Sequence, residues 1–249
     1  MDIRGLGSKL LDLAYPNSLY CICCKKIIDD SRAYRLCDTC IDEIKWANGR
    51  VCGHCGKPLS ELNPGDICFN CKENNHEFDR GFTVCEYSEH ARSIIFALKY
   101  GGRTDIASDI ALMMHDRMIM EKENLLYDVI IPVPMYKKKR LKRGFNQAAL
   151  IAREFAKHEN IKCEEYYVRR VRDSIPMRGL TPEERQSNIY ASFELTDYAK
   201  NLANKKILII DDIYTTGATL DEMTRVLKKI KVSGVDVLTF AAGADVIKQ

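Results

Sequence analysis

The chain has 249 residues, 46% of them hydrophobic, which allows one or two domains with a packed core and excludes global disorder. A formal net charge of +3 is too small to argue by itself for a nucleic-acid partner. No run of eighteen apolar residues occurs and the first sixteen residues lack a long apolar region, so neither membrane insertion nor a secretory signal is expected and a cytoplasmic protein is.

In chain order, residues 1–18 predict a short amphipathic helix through Leu6, Leu10 and Leu13, ended near Pro16. Residues 19–78 hold nine of the eleven cysteines among Gly, Pro and Asn, with too few apolar residues to build a core alone. Residues 79–249 read as one α/β domain. A strand over 81–87 precedes a helix over 91–99 with Ile94, Ile95 and Leu98 on one side. A second helix over 105–118 carries Ile106, Ile110 and Met113. Residues 129–131 form a buried-type strand ending at Pro132-Val133-Pro134, and Ala148, Ile151, Ala152 and Phe155 follow helical spacing. A strand buried on both faces spans 207–210. The following helix uses Leu220, Met223, Leu227 and Ile230, and a last strand spans 235–240. Strands alternating with helices predict a doubly wound, mostly parallel sheet.

The cysteines come as four pairs with two-residue gaps: Cys21/Cys24, Cys37/Cys40, Cys52/Cys55 and Cys68/Cys71. Such a gap lets both thiolates face one metal ion, and two pairs complete a tetrahedral shell, which leaves no open position for catalysis. The expected cofactor is therefore structural zinc. Twelve residues separate Cys24 from Cys37 and Cys55 from Cys68, which points to two successive ribbons. A crossed arrangement, first pair with third and second with fourth, stays open. The competing reading is redox or merely buried pairs. Cys23 is a surplus thiol, His54 reads as a bystander inside the third pair, and Cys85 and Cys163 read as ordinary apolar residues.

The richest stretch is Ile207-Leu-Ile-Ile-Asp211-Asp212-Ile-Tyr214-Thr215-Thr216-Gly217-Ala218-Thr219. A buried strand ends in two carboxylates, followed by hydroxyls, one glycine and a helix start. Ligands bind at the carboxyl ends of strands in such sheets, and a helix N-terminus offers unpaired N–H groups to a phosphate. Gly217 lets backbone approach closely. The acids can accept hydrogen bonds from vicinal sugar hydroxyls or help place hydrated Mg²⁺. The bland alternative is a helix start capped by Thr216 or Thr219, which leaves the two acids unexplained. Lys137 to Arg143 holds six basic residues among seven, readable as a solvated run or as a contact for nucleic-acid phosphates.

The loop resembles that of the type I phosphoribosyltransferases, which bind phosphoribosyl pyrophosphate (PRPP). That resemblance implies that Asp211 and Asp212 bind the ribose 2′ and 3′ hydroxyls and that Tyr214, Thr215, Thr216, Gly217, Ala218 and Thr219 wrap the 5′-phosphate. Nearly the whole chain resembles the ComF family, proteins with a double zinc ribbon and an amidophosphoribosyltransferase-like domain. The matching pieces are Tyr15-Pro16, Leu98-Lys99-Tyr100, Pro132-Val133-Pro134, Arg143-Gly144-Phe145-Asn146-Gln147, Arg185 with Asn188, and Phe193. The likeness implies a sheet of the type I phosphoribosyltransferase kind, with Lys99 and Arg143 as pyrophosphate contacts and Pro134 among the substrate-binding residues. It also implies a flap over 169–188. A glutamine that the family usually carries there is absent, Ser174 and Met177 standing in that stretch.

Three functions follow as expectations. The first is a PRPP-binding, phosphoribosyltransferase-like protein; if catalytic, it would displace pyrophosphate from ribose C1, although no general base or nucleobase-reading motif stands out. The second is a non-enzymatic component of DNA uptake in natural competence, touching single-stranded DNA and other competence proteins and using PRPP only as a ligand. The third is a nucleobase-salvage enzyme, for which a zinc module is unexpected.

Overall fold

The computed structural model describes residues 19–29, 31–121, 125–173 and 190–246. The expected helix over 1–18 lies outside them, as do Ser174, Met177, Arg185 and Asn188 of the expected flap.

Five parallel strands form the main sheet: β1 (Arg80–Glu86), β2 (Val129–Pro132), β3 (Lys162–Cys163), β6 (Lys206–Tyr214) and β7 (Gly234–Ala242), in the order β1-β7-β6-β2-β3. β6 is central. Its Ile207, Leu208, Ile209 and Ile210 are each 0% exposed, and burying each such side chain contributes ~1.5–3 kcal/mol. That is why this run occupies the middle of the sheet. The strand runs four residues past the expected end at Ile210, so both acids lie within it. A two-stranded antiparallel ribbon, β4 (Val168–Arg170) with β5 (Phe193–Leu195), stands apart from the sheet. Residues 168–170 are thus a strand where the expected flap was to begin.

Helices α3 (Glu89–Tyr100), α4 (Ile106–Ile119) and α6 (Gln147–Glu159) pack their apolar sides on one face, where Ile94, Ile110, Ile151 and Phe155 meet Leu208, Ile210 and Phe240. Helix α7 (Ala218–Lys228) covers the other face, where Leu220, Met223 and Leu227 meet Ile207, Ile209 and Val237. The basic run forms the exposed helix α5 (Lys137–Arg143), closed at Gly144. Lys and Arg are good helix formers and stop no helix by themselves.

The cysteine-rich segment does not stand apart. Cys21, Leu36 and Cys40 join the core around α3 and α4, and Cys52, Cys55 and Cys68 join the core around α7. Each half of the segment therefore covers one face of the sheet. Two short helices, α1 (Asp38–Glu43) and α2 (Phe69–Glu73), start directly after Cys37 and Cys68. Arg35 anchors the first half to α4, its Nη1 donating to Asp105 at 2.7 Å and its Nε to Asp109 at 3.0 Å. The second half lies backbone to backbone on β1. A Cβ at Gly56, whose φ is +73°, would meet the Gly81 carbonyl oxygen at 2.5 Å. Only glycine fits both that φ and that gap.

Candidate functional site

Asp212 points to the α3 face and is 3% exposed. Lys99, in the last turn of α3, forms an ion pair with its Oδ2. Gln147, the first residue of α6, donates from Nε2 to its Oδ1 at 3.0 Å. Arg143 donates from Nη1 to Gln147 Oε1 at 2.5 Å, and its guanidinium lies 5.2 Å from the Tyr100 ring centroid. Asn146 caps α6 by accepting from Ala148 N at 3.2 Å, and its Nδ2 donates to the Val133 carbonyl at 2.9 Å. Three separated motifs, Leu98-Lys99-Tyr100, Pro132-Val133-Pro134 and Arg143 to Gln147, thus converge on the end of β6.

The two acids differ. Burial pushes the Asp212 carboxyl up, but the Lys99 ammonium and the Gln147 amide more than offset that and hold it below the usual carboxylate range. Asp211 is driven well above that range by burial and by the charge of Asp212. The Asp212 N–H donates to Asp211 Oδ1 at 2.9 Å. Lys99 and Gln147 already engage both oxygens of Asp212, which leaves the partly exposed Asp211 to meet a ligand. Burial would lower the affinity of Lys99 for its proton, and Asp212 reverses that. Lys99, expected on pyrophosphate, is therefore committed to holding Asp212. Arg143, expected there too, is bonded to Gln147 with its guanidinium stacked on Tyr100.

Thr215, Thr216 and Gly217 form the turn into α7, which begins at Ala218 with Gly217 as N-cap and no side-chain cap. The capping role considered for Thr216 or Thr219 is not what the structure shows. A Cβ at Gly217, whose φ is +87°, would meet His76 Cε1 at 2.7 Å. Tyr214 departs from expectation. Its side chain is 1% exposed and turned toward the second cysteine group, the hydroxyl 3.0 Å from His76 Nε2. Only its backbone can belong to a phosphate loop. His76 Nδ1 lies 2.9 Å from Asp221 Oδ2, whose other oxygen accepts from Glu77 N at 2.9 Å. His76 and Asp221 escaped the sequence reading because one sits in a polar linker and the other reads as a first-turn acid. His54 lies outside both sulfur groups, and its ring stacks on His76 at 5.3 Å and on Phe78 at 5.0 Å.

A cavity of about 880 Å³ opens beside this end of the sheet, lined by Pro134, Arg140, Tyr166, Tyr167, Arg170 and Tyr198. Burial holds the Arg170 guanidinium below its ordinary range, against the pull of the Asp211 charge. Pro134 lines this cavity together with Arg170.

The cysteines gather by succession, not crossing. The sulfurs of Cys21, Cys24, Cys37 and Cys40 lie within 4.8 Å of one another, as do those of Cys52, Cys55, Cys68 and Cys71. Four thiolates about 2.3 Å from zinc stand ~3.8 Å apart at tetrahedral angles. The Cys24–Cys37 and Cys55–Cys68 sulfur distances are 3.5 and 3.7 Å. Both donor sets fit structural zinc. Cys23 lies beside Cys40 and His90, outside either set of four. Cys85 is 0% exposed in β1, and burial pushes the Cys163 thiol up to about 12, so neither resembles a reactive thiolate.

The double zinc ribbon domain model matches residues 10–72, and the phosphoribosyl transferase domain model matches residues 141–247. Competence protein F of Haemophilus influenzae is 28% identical over 205 residues, covering 81% of this chain and 88% of that one. The DNA utilization protein YhgH of Escherichia coli K12 is 24% identical over 205 residues, with the same shares of 81% and 88%. Competence protein ComFC of Bacillus subtilis is 24% identical over 225 residues, covering 82% of this chain and 83% of that one. The two domain models, matched in this order, and competence-named relatives along most of the chain support placing this protein in the ComF family.

Proposed function

We propose that this protein binds PRPP at the end of β6 and serves competence or the utilization of DNA, the roles named for its relatives. The observation that carries the binding reading is the convergence of Lys99, Arg143 and Gln147 on Asp212, which leaves Asp211 facing the ligand beside the uncapped start of α7. Asp211 would accept from a ribose hydroxyl, and the N–H groups after Gly217 would meet the 5′-phosphate. Mg²⁺, which binds through one or two carboxylates plus substrate phosphates, fits a site offering one free carboxylate, and when bound it would neutralise pyrophosphate charge. The reaction such a site supports is displacement at C1. The acceptor's lone pair forms the new C1 bond, the C1–oxygen bond breaks, and pyrophosphate leaves with its electron pair. Arg143, whose guanidinium reaches the group through Gln147, would bear on that leaving charge.

Ligand binding should release a proton. Asp211 is raised in the free protein, whereas a hydroxyl or cation favours its ionised form, so affinity rises with pH until Asp211 is ionised beforehand. Calorimetric titration of Mg·PRPP in two buffers of different ionisation enthalpy should show this release, and Asp211→Asn should abolish it. Absence of binding by the zinc-loaded wild type would overturn the reading.

A second surface favours a single-stranded DNA partner. On α3, Phe96 and Tyr100 are 45% and 68% exposed with ring centroids 5.3 Å apart, and Arg92 and Arg143 each lie 5.2 Å from one of these rings. Arg143 is the last residue of α5, whose Lys137, Lys138, Lys139 and Lys142 are exposed. Alternating rings and cations suit stacked bases and their phosphates. Phe96→Ala/Tyr100→Ala should weaken oligonucleotide binding by about 1–3 kcal/mol per stacked base. Unchanged binding, or binding insensitive to salt, would count against this surface.

A further inference from the structure

The second zinc ribbon does more than cover the sheet. Between it and the β6–α7 turn lies a cleft of about 310 Å³, lined by Lys57, Phe69, Asn70, Thr215, Thr216 and Asp245 among others. Lys57 lies two residues after Cys55 of the third cysteine pair and is 3% exposed. It forms no ion pair with any described residue; its ammonium lies 5.5 Å from the Tyr214 ring centroid. Glu73 and Asp245 line the same cleft; neither is ion-paired with Lys57, and the Asp245 carboxylate is taken up by the ribbon. Its Oδ2 accepts from Asn63 Nδ2 at 2.9 Å and Ser60 N at 3.3 Å, and its Oδ1 from Phe69 N at 2.9 Å. Asn70, between Cys68 and Cys71, donates to the Thr216 carbonyl at 3.4 Å, tying ribbon and turn together. A buried ammonium without a counter-ion is costly, so a cation kept in this position argues for an anion that visits it. The uncapped start of α7 faces the same turn and favours the same kind of ligand.

We propose that Lys57 is a ligand of the phosphomonoester bound at the β6–α7 turn, so that the second zinc ribbon supplies one wall of the sugar-phosphate site. The inference rests on the PRPP reading for the identity of the whole ligand, but the chemistry recognised at Lys57 is the terminal phosphoryl group of any ribose 5-phosphate. The ribbon is then part of the binding site, and Lys57 selects ligands that carry the 5′-phosphate.

The test uses the full, zinc-loaded chain with three probes: Mg·PRPP, ribose 5-phosphate and pyrophosphate. Lys57→Met keeps the apolar stem and removes the charge. It should weaken PRPP and ribose 5-phosphate by about tenfold or more, the loss of one charge-assisted hydrogen bond, and leave pyrophosphate unchanged. Lys57→Arg should recover most of the loss, and Lys57→Gln should behave as Lys57→Met if the latter folds poorly. Zinc content and thermal midpoint are read for each variant. A Lys57→Met protein that binds both sugar phosphates within twofold of wild type overturns the proposal. So does one that loses zinc or stability while its affinity, measured with zinc restored, is unchanged, since that is a purely structural role. Wild-type protein that binds ribose 5-phosphate in a Lys57-dependent way but not PRPP would sustain this proposal and end the PRPP reading. Binding of none of the probes would overturn both.

Discussion

Replacing Cys55 with serine is expected to unfold the whole chain, not the second ribbon alone. Cys55 is 1% exposed and packs in the same core as Phe78, Leu220 and Met223. Its backbone abuts β1 so closely that a Cβ at Gly81 would come within 2.9 Å of the Cys55 Cα. Structural zinc in small ribbons supplies an apparent ~10–16 kcal/mol, comparable with the ~5–15 kcal/mol that stabilises a whole domain. Losing that ion frees the ribbon, uncovers the α7 face and exposes the central strand. Metal analysis should show one ion per chain lost, and urea unfolding should show one transition at much lower denaturant. Cys163→Ser, outside both sulfur groups, should leave both readouts near wild type. A variant in which only a minor early transition appears, with the sheet's own transition unmoved, would mean the ribbons are separable appendages.

Breaking the Lys99–Asp212 pair on one side should cost about 3–5 kcal/mol, because the partner is left as an uncompensated buried charge. Side-chain exposures of 15% and 5% put the pair beyond effective solvent screening. Lys99→Met and Asp212→Leu are each expected to lower the urea midpoint strongly, and the double variant to regain most of the loss, since two apolar groups replace two charges. Ligand binding should vanish in all three, which separates positioning of the acid pair from stability. The pH dependence has a defined sign. Asp212 is held low, so its stabilising contribution is present above its unfolded value of about 3.9 and fades as pH falls through its lower folded value. Asp211 is raised, so it works oppositely: stability falls as pH rises from about 3.9 towards its folded value. In Lys99→Met the deficit should shrink in acid, where Asp212 takes up a proton and no buried charge is left. A deficit that does not change with pH would assign the loss to packing.

The local chemistry is legible in the order of the residues. The Ile-Leu-Ile-Ile run declared a strand buried on both faces, and it is the central one. The two-residue gaps of the cysteine pairs declared ribbons, because ligand spacing along a short loop fixes where two thiolates can point. The basic run was legible as charge but not as the helix α5, since exposed cations carry no apolar period to betray a helix. Tyr214 read as part of the loop, although its ring is packed against the ribbon side, since the direction of one residue at a strand end is set by what lies beneath it.

By itself, then, the sequence determined which chemistries are present: sulfur donors in fours, an acid pair on a buried strand, hydroxyls and a glycine at a helix start. These depend on residues close together in the chain. Only the tertiary structure decided how they are shared out. It gave Lys99 to Asp212 across 113 residues of chain and left Asp211 outside that pair. It also spread the two ribbons over opposite faces of the sheet and brought Lys57 beside Thr215 and Thr216. The physical reason is that a buried charge is assigned its partner, and an apolar ribbon its cover, by whatever surface the packed sheet presents, and no local spacing encodes that surface.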